Sequence, residues 1–197
     1  MNKEFDYIVI GAGIAGCCLA YFLSKYSKSI LLIDRNSQVA FGASGAAGAF
    51  LSPLLGKPND FKDLVTKSLI FSTNFYKNLG EELVSNCGVC RIPKNEEDRD
   101  KFESYKPYMD FKYTQMNDGY FFEIGSQVTP SLICEKLIKD IEKKLSYNVI
   151  KLEQNENSTW IINDEICAKN IILTTGADVK HIKEDYFDIR GVWGQKI

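Results

Sequence analysis

The sequence predicts an α/β fold: a parallel sheet extended by a β-meander, with part of an α+β domain beside it. Three observations predict this. The first 34 residues read as a compact β-α-β unit. Between residues 148 and 168, short strand signals alternate with Asn-rich turns, the pattern of a meander. A late apolar run, Ile171-Ile172-Leu173-Thr174, then supplies a further buried strand.

Each element follows from its residues. Tyr7-Ile8-Val9-Ile10 is a wholly apolar strand of the kind buried on both faces. Gly11 to Gly16 turn the chain into a helix reaching about Lys25, with Ile14, Cys18 and Phe22 at helical spacing. Ser29 to Ile33 is the second strand, ending at Asp34. A long helix is expected from Asn59 or Asp60, a good N-cap, to Leu79, with Gly80 as its stop. Its expected core stripe is Phe61, Leu64, Val65, Leu69, Phe75 and Leu79. Residues 81–128 are richer in Lys, Asp, Glu and Tyr, with strand signals at 88–92 and 120–124. Thr129-Pro130 then opens a helix expected to run to about Leu145. Strands are expected at Asn148–Leu152, Thr159–Ile162 and Glu165–Ala168, before the one ending at Thr175-Gly176-Ala177. The expected division is a discontinuous dinucleotide domain, 1–80 and 129–180, and an incomplete substrate domain, 81–128 and 181–197.

Gly11-Ala12-Gly13-Ile14-Ala15-Gly16 matches the dinucleotide fingerprint, and the fold it implies is Rossmann-like. The first glycine permits the tight turn. The second lets backbone N–H groups approach a pyrophosphate, and the third lets helix and strand pack closely. The pattern alone is weak. Here it follows a strand, opens a helix and precedes a strand ending in an acid 18 residues after Gly16, which is the context it requires. Asp34 would accept hydrogen bonds from the adenosine ribose and repel a 2′-phosphate, which argues against NADP but does not separate NAD from FAD. The next segment, Gly42-Ala43-Ser44-Gly45-Ala46-Ala47-Gly48-Ala49, favours FAD, because a large flat group can lie against backbone donors with so little side-chain bulk.

The 197 residues carry 24 Lys and Arg against 26 Asp and Glu, a net charge of −2. That balance removes the simplest argument for a nucleic-acid binder. With 45% hydrophobic residues the chain can fill a core, and no run approaches the roughly 20 apolar residues of a membrane span. It reads as soluble and cytoplasmic. The six cysteines do not form a disulfide framework: Cys17 and Cys18 are helix neighbours, and Cys134 and Cys167 sit among apolar residues. Cys87-Gly-Val-Cys90 could be a redox dithiol or half of a zinc site, but it leads into a strand at 89–92 rather than opening a helix, and no second pair is present beyond the single His181, so a structural role and no metal are expected. Tyr105, Tyr108, Tyr113 and Tyr120 have the irregular spacing of packing aromatics. No side chain stands out as acid, base or nucleophile.

Three motifs, Asp6–Asp34, Gly42–Ala49 and Ile171–Ala177, make the chain resemble the FAD-dependent D-amino acid oxidase superfamily, which includes glycine, sarcosine and D-amino acid oxidases. Within it, Phe41–Leu55, Cys87–Val89, Gly119–Glu123 and Arg190–Gln195 are similar to the FAD-dependent half of the bacterial bifunctional enzyme of tRNA 5-methylaminomethyl-2-thiouridine synthesis. The resemblance implies FAD held by Gly11, Gly13 and Gly16 at the pyrophosphate and by Asp34 at the ribose, with Ala12, Ile14, Ala15 and Arg35 also among the cofactor-binding residues. It places Ala43, Ser44, Gly45, Ala47, Gly48 and Ala49 beside the pyrophosphate and flavin, the Val149 backbone at the adenine, and Thr175 and Gly176 near the cofactor. Asp34 stands where the family more often has Glu, and Trp193 interrupts a segment that usually reads Arg-Gly-Gln. The implied activity is oxidation of a CH–NH bond, foremost removal of the carboxymethyl group from 5-carboxymethylaminomethyl-(2-thio)uridine in tRNA. The alternatives are oxidation of glycine, sarcosine or a D-amino acid, or a catalytically incomplete FAD-binding fragment. The resemblance also implies a longer chain, so this one is expected to be truncated and inactive.

Overall fold

A computed structural model describes residues 4–178, 189 and 191. Arg190, Trp193 and residues 181–188 lie outside the described residues. Along the chain run β1 (Glu4–Ile10), α1 (Ile14–Leu23), β2 (Ile30–Ile33) and the one-turn α2 (Ala43–Ala46). There follow β3 (Phe50–Leu51), α3 (Asp60–Leu79), β4 (Val84–Ser85), β5 (Val89–Arg91), α4 (Glu96–Tyr105), β6 (Thr114–Met116), β7 (Gly119–Phe122) and β8 (Ser126–Val128). The chain continues through α5 (Pro130–Leu137), β9 (Glu142–Lys144), β10 (Leu152–Gln154), β11 (Trp160–Ile162) and β12 (Ile166–Leu173).

These elements form two compact units: the chain up to Ala47 together with the chain from Pro130, and Gly48–Thr129. The break therefore falls before β3, not at residue 80. The reason is pairing: β3 joins β8, and α3 packs on β3 and β4, so the long helix belongs with the second unit.

The first unit is built on a six-stranded sheet in the order β10-β11-β12-β1-β2-β9. β12, β1, β2 and β9 are parallel, and β10, β11 and β12 form the antiparallel meander. Ile8 pairs with Ile171 on one side and Leu31 on the other, and Ile8, Val9, Leu32 and Ile33 are fully buried. α1 and α5 pack together, and Cys17 and Ile133 are buried on them.

Three expectations about these elements are corrected. α5 stops at Leu137 instead of reaching Leu145, and residues 142–144 pair with β2. Glu142, Lys143 and Lys144 are poor strand formers, but β2 otherwise presents unpaired backbone groups, and satisfying them outweighs propensity. Only Leu152 of the expected strand 148–152 is in a strand. The N–H groups of Ile150 and Lys151 go to the Asn163 side chain instead, at 2.9 and 3.0 Å. The two strands expected at 165–168 and 171–174 are one, β12, because β1 pairs along it from Cys167 to Leu173.

In the second unit, β5, β7 and β6 form an antiparallel sheet over a core of Phe102, Tyr120 and Phe122. Tyr113 packs edge-on against Tyr120, with ring centroids 5.2 Å apart. α4 was not expected from the sequence. Its signal was present: the Asn95 side chain accepts from the Asp98 N–H at 2.9 Å, and Glu96, Glu97 and Asp98 face the positive end of the helix.

α3 begins as expected, with the Asn59 side chain accepting from the Lys62 N–H at 2.9 Å. Its inward face differs from the predicted stripe. Phe61 and Leu64 are 64% and 60% exposed, while Lys62, Leu69 and Tyr76 are buried. Lys62 faces inward because its ammonium has partners there: Asp110 at 3.0 Å and the Tyr108 carbonyl. All six cysteines are free, Cys17 and Cys134 buried and Cys87 and Cys90 exposed. Among the described residues, no helix is long and apolar enough to cross a membrane, and no cluster of three or more potential ligands could hold a metal.

Candidate cofactor site

β1 lies between β12 and β2, and the chain leaves it for α1 on one side while β12 arrives from far along the sequence. Loops at the carboxyl ends of such strands diverge and leave a crevice. A cavity of about 410 Å³ lies there, lined by Ile10, Leu173 and Asp34 at the strand ends. Its size is within the usual range of ligand pockets.

The fingerprint forms one wall. Gly11 has φ +111°, a backbone that favours glycine, and a Cβ there would come within 2.4 Å of the Thr174 carbonyl. Gly16 carries the close approach of helix and strand: a Cβ there would lie 1.9 Å from the Gly11 carbonyl oxygen. Thr174 secures this corner, its hydroxyl donating to the Gly11 and Ile10 carbonyls at 2.8 and 3.0 Å. Gly13, Ile14 and Ala15 face the cavity at the start of α1, where first-turn N–H groups lack helical partners. The Ser44 hydroxyl accepts from the Ile14 N–H at 3.0 Å.

Asp34 does not stand free. Its Oδ2 accepts from the Ala12 N–H at 2.6 Å, and its Oδ1 accepts from the backbone and side-chain N–H groups of Asn36 at 2.8 and 2.9 Å. Arg35 forms an ion pair with Asp178 at 2.6 Å, and both line the cavity. Tyr147, Asn148 and buried Val149 close another side. Burial, with the Glu165 carboxylate beside it, pushes the Tyr147 hydroxyl up to about 12, so it stays neutral. Beneath the loop, the Cys17 thiol lies against the Ala12 carbonyl at 3.5 Å. The neighbouring Cys134 and burial push that thiol up, so it stays protonated.

The structure thus brings together Gly11, Gly13, Ile14, Ala15, Asp34, Arg35, Ala43, Ser44, Val149, Thr175 and Gly176. Ala12 and Gly16 support the wall from behind. Gly45, Ala47, Gly48 and Ala49 are outside the cavity lining: a Cβ on Gly45 would press on the Ala40 carbonyl, and the Ala49 carbonyl accepts from Val128 in the second unit. Sequence reasoning missed Asn36, Phe41, Tyr147 and Asp178 as lining residues. Asn36 carried a usable signal, a short amide two residues after the acid; Asp178 carried none. The open backbone floor, the helix N-terminus and the carboxylate at the second strand suit a dinucleotide carrying a diphosphate.

The family model described as FAD dependent oxidoreductase matches residues 6–195. The chain belongs to the FAD dependent oxidoreductase family. The cofactor of this family is FAD. A relative in Campylobacter fetus subsp. fetus, the tRNA 5-methylaminomethyl-2-thiouridine biosynthesis bifunctional protein MnmC, is 23% identical over 159 residues, covering 79% of this chain and 26% of its own. The Campylobacter jejuni protein of the same name is 26% identical over 188 residues, covering 90% and 30%. This FAD dependent oxidoreductase chain thus spans less than a third of the length of those relatives. Among solved structures, glycine oxidase from Geobacillus kaustophilus shares the fold with a TM-score of 0.73 at 14% identity, over 90% of this chain and 56% of that one. An FAD-bound L-alpha-glycerophosphate oxidase from Mycoplasma pneumoniae does so with a TM-score of 0.64 at 17% identity, over 86% and 53%.

Proposed function

We propose that this chain forms the FAD-holding part of an oxidoreductase acting on a CH–NH bond, and that its substrate is the carboxymethylaminomethyl group of a modified tRNA uridine. The observation that carries the cofactor half of this reading is the cavity itself, in which the α1 N-terminus and Asp34 face the same space. The substrate half is supported by similarity to MnmC proteins over most of the chain.

In this reading Gly11, Gly13 and Ala15 border the pyrophosphate at the start of α1, where the helix dipole favours negative charge, while Ala12, Ile14 and Gly16 shape the loop around it. Asp34 binds at the ribose, Arg35 lines the same space paired with Asp178, and the Val149 backbone lies at the adenine. Ala43 and Ser44 border the pyrophosphate, Gly45, Ala47, Gly48 and Ala49 continue toward the flavin, and Thr175 and Gly176 approach from the opposite strand end. Bound FAD supplies a hydride acceptor for the carbon next to an amine nitrogen, and the resulting imine is hydrolysed by water. The chain's own contribution is orientation and charge: a fixed helix end, a fixed carboxylate and a neutral Tyr147 in the wall.

Parallel titration with FAD and NAD tests the cofactor assignment, with FAD binding tighter as the expected result and tighter NAD binding as the refutation. Assay of the complete enzyme with carboxymethylaminomethyl-modified tRNA and with free glycine tests the substrate. Turnover of glycine but not of the tRNA would replace the nucleic-acid reading with an amino-acid one.

A further inference from the structure

Lone-pair accounting at Asp34 points to a residue the fingerprint does not include. A carboxylate offers about four acceptor positions. Among the described residues three are taken: one on Oδ2 by the Ala12 N–H, and two on Oδ1 by the Asn36 backbone and side-chain N–H groups. One position remains, on Oδ2. A ribose diol presents two hydroxyl donors, so Asp34 alone serves only one of them.

The neighbouring side chain supplies the second acceptor. Asn36 lines the cavity with Asp34. Its Nδ2 donates to Asp34 Oδ1, which fixes the amide so that its carbonyl oxygen is the atom left to accept a bond. The backbone around the pair is held independently of that side chain. The Ser146 N–H donates to the Asn36 carbonyl and the Tyr147 N–H to the Asp34 carbonyl, both at 2.9 Å. The Asp34 N–H donates in turn to the Lys144 carbonyl at 3.1 Å.

We propose that Asn36 is a specificity residue for the cofactor's adenosine ribose: its side-chain carbonyl accepts one hydroxyl while Asp34 accepts the other. The proposal rests on the FAD reading of the cavity and adds a second ribose acceptor to it. Recognition is then split between two short side chains, each taking one hydroxyl. Both are acceptors toward the ligand, so a nucleotide lacking either hydroxyl leaves one of them unpaired.

The test uses ADP, 2′-deoxy-ADP and 3′-deoxy-ADP, with dissociation constants measured by calorimetry on the wild-type chain and on Asn36→Ala. On the wild type, removing either hydroxyl weakens binding. The loss of the hydroxyl facing Asn36 costs about two- to twelve-fold, the size of one neutral hydrogen bond. Asn36→Ala binds ADP weaker by a similar factor and shows no further loss with one of the two deoxy analogues. It keeps the full loss with the other. If only one hydroxyl matters to the wild-type chain, the shared-diol proposal is overturned without recourse to a variant. It is equally overturned if Asn36→Ala loses the same factor for all three ligands, since the side chain would then act only by positioning Asp34. Failure of the wild type to bind either FAD or ADP would overturn the cofactor reading and this proposal together. ADP binding without the hydroxyl-specific coupling overturns the Asn36 proposal alone.

Discussion

Gly16→Ala sets two effects of opposite sign against each other. In a helix interior alanine is favoured over glycine by about 0.8–1 kcal/mol, so local propensity predicts a more stable protein. The packing predicts the reverse. The added Cβ would lie 1.9 Å from the Gly11 carbonyl oxygen and 2.6 Å from Thr174 Oγ1. An ordinary C···O contact is about 3.3 Å, so helix and loop must part by roughly 1.4 Å. Backbone cannot yield as a side chain does, and Thr174 can swing away only by giving up its bonds to Gly11 and Ile10. Overpacking of this kind costs about 1–3 kcal/mol, and losing the threonine bonds adds about 1–2 kcal/mol. After subtracting the propensity gain, the net loss is about 1–4 kcal/mol, a large share of the roughly 5–15 kcal/mol that holds a domain together. With a urea slope of about 2 kcal/mol/M, the midpoint falls by about 0.5–2 M. Because the shift moves the start of α1, ADP affinity falls with it. Gly42→Ala is the control for added bulk: its Cβ meets nothing within 4 Å, so that variant carries no clash and its midpoint should fall less than that of Gly16→Ala. A Gly16→Ala midpoint equal to or above wild type, with unchanged ADP affinity, would refute the argument from close approach.

Asp34→Ala should weaken FAD and ADP binding about 10- to 100-fold, from roughly 1.5–3 kcal/mol for a bond to a charged acceptor, and unchanged affinity in a titration would show that the carboxylate serves only Ala12 and Asn36. Asp110→Asn leaves the Lys62 ammonium, only 3% exposed, without its counter-charge. Asp110 is itself 38% exposed, so the expected loss is about 1–3 kcal/mol, below that of a wholly buried pair. Lys62→Met should cost less than Asp110→Asn in the same denaturation assay, and the opposite ranking would contradict this account. The Lys169 ammonium and the Ser27 hydroxyl beside Asp6 hold its carboxyl below the ordinary value. A carboxyl lowered by folding adds stability that is present above its unfolded value, about 3.9, and is lost as pH falls through the folded value. Denaturation midpoints should therefore drop on acidification, and Lys169→Ala should flatten that drop; identical acid slopes would count against the pairing.

The glycine-rich turn and the strands around it were legible because their causes are local. Continuous apolar runs make buried parallel strands, and glycines at fixed offsets make the turn, so 7–16, 30–34 and 171–176 could be placed without a structure. Tyr113 and Tyr120 were read as packing residues, and the two rings do pack edge-on. Asn95 and the acids after it, by contrast, were a readable helix start that the mixed composition of 81–128 obscured.

What only the tertiary structure decided depends on partners distant in sequence. Glu-Lys-Lys at 142–144 has no strand character of its own and becomes β9 because β2 has backbone groups to satisfy. Lys62 takes an inward position on α3, and Phe61 an outward one, because an acid 48 residues later meets the ammonium. The Asp34 carboxylate was foreseen, but its three internal donors were not, since hydrogen-bond saturation is a property of the folded neighbourhood. Sequence by itself determined the local backbone, through sterics and hydrophobic period. The folded chain decided which polar groups were left to bind a ligand, because that depends on which groups had already found partners within the protein.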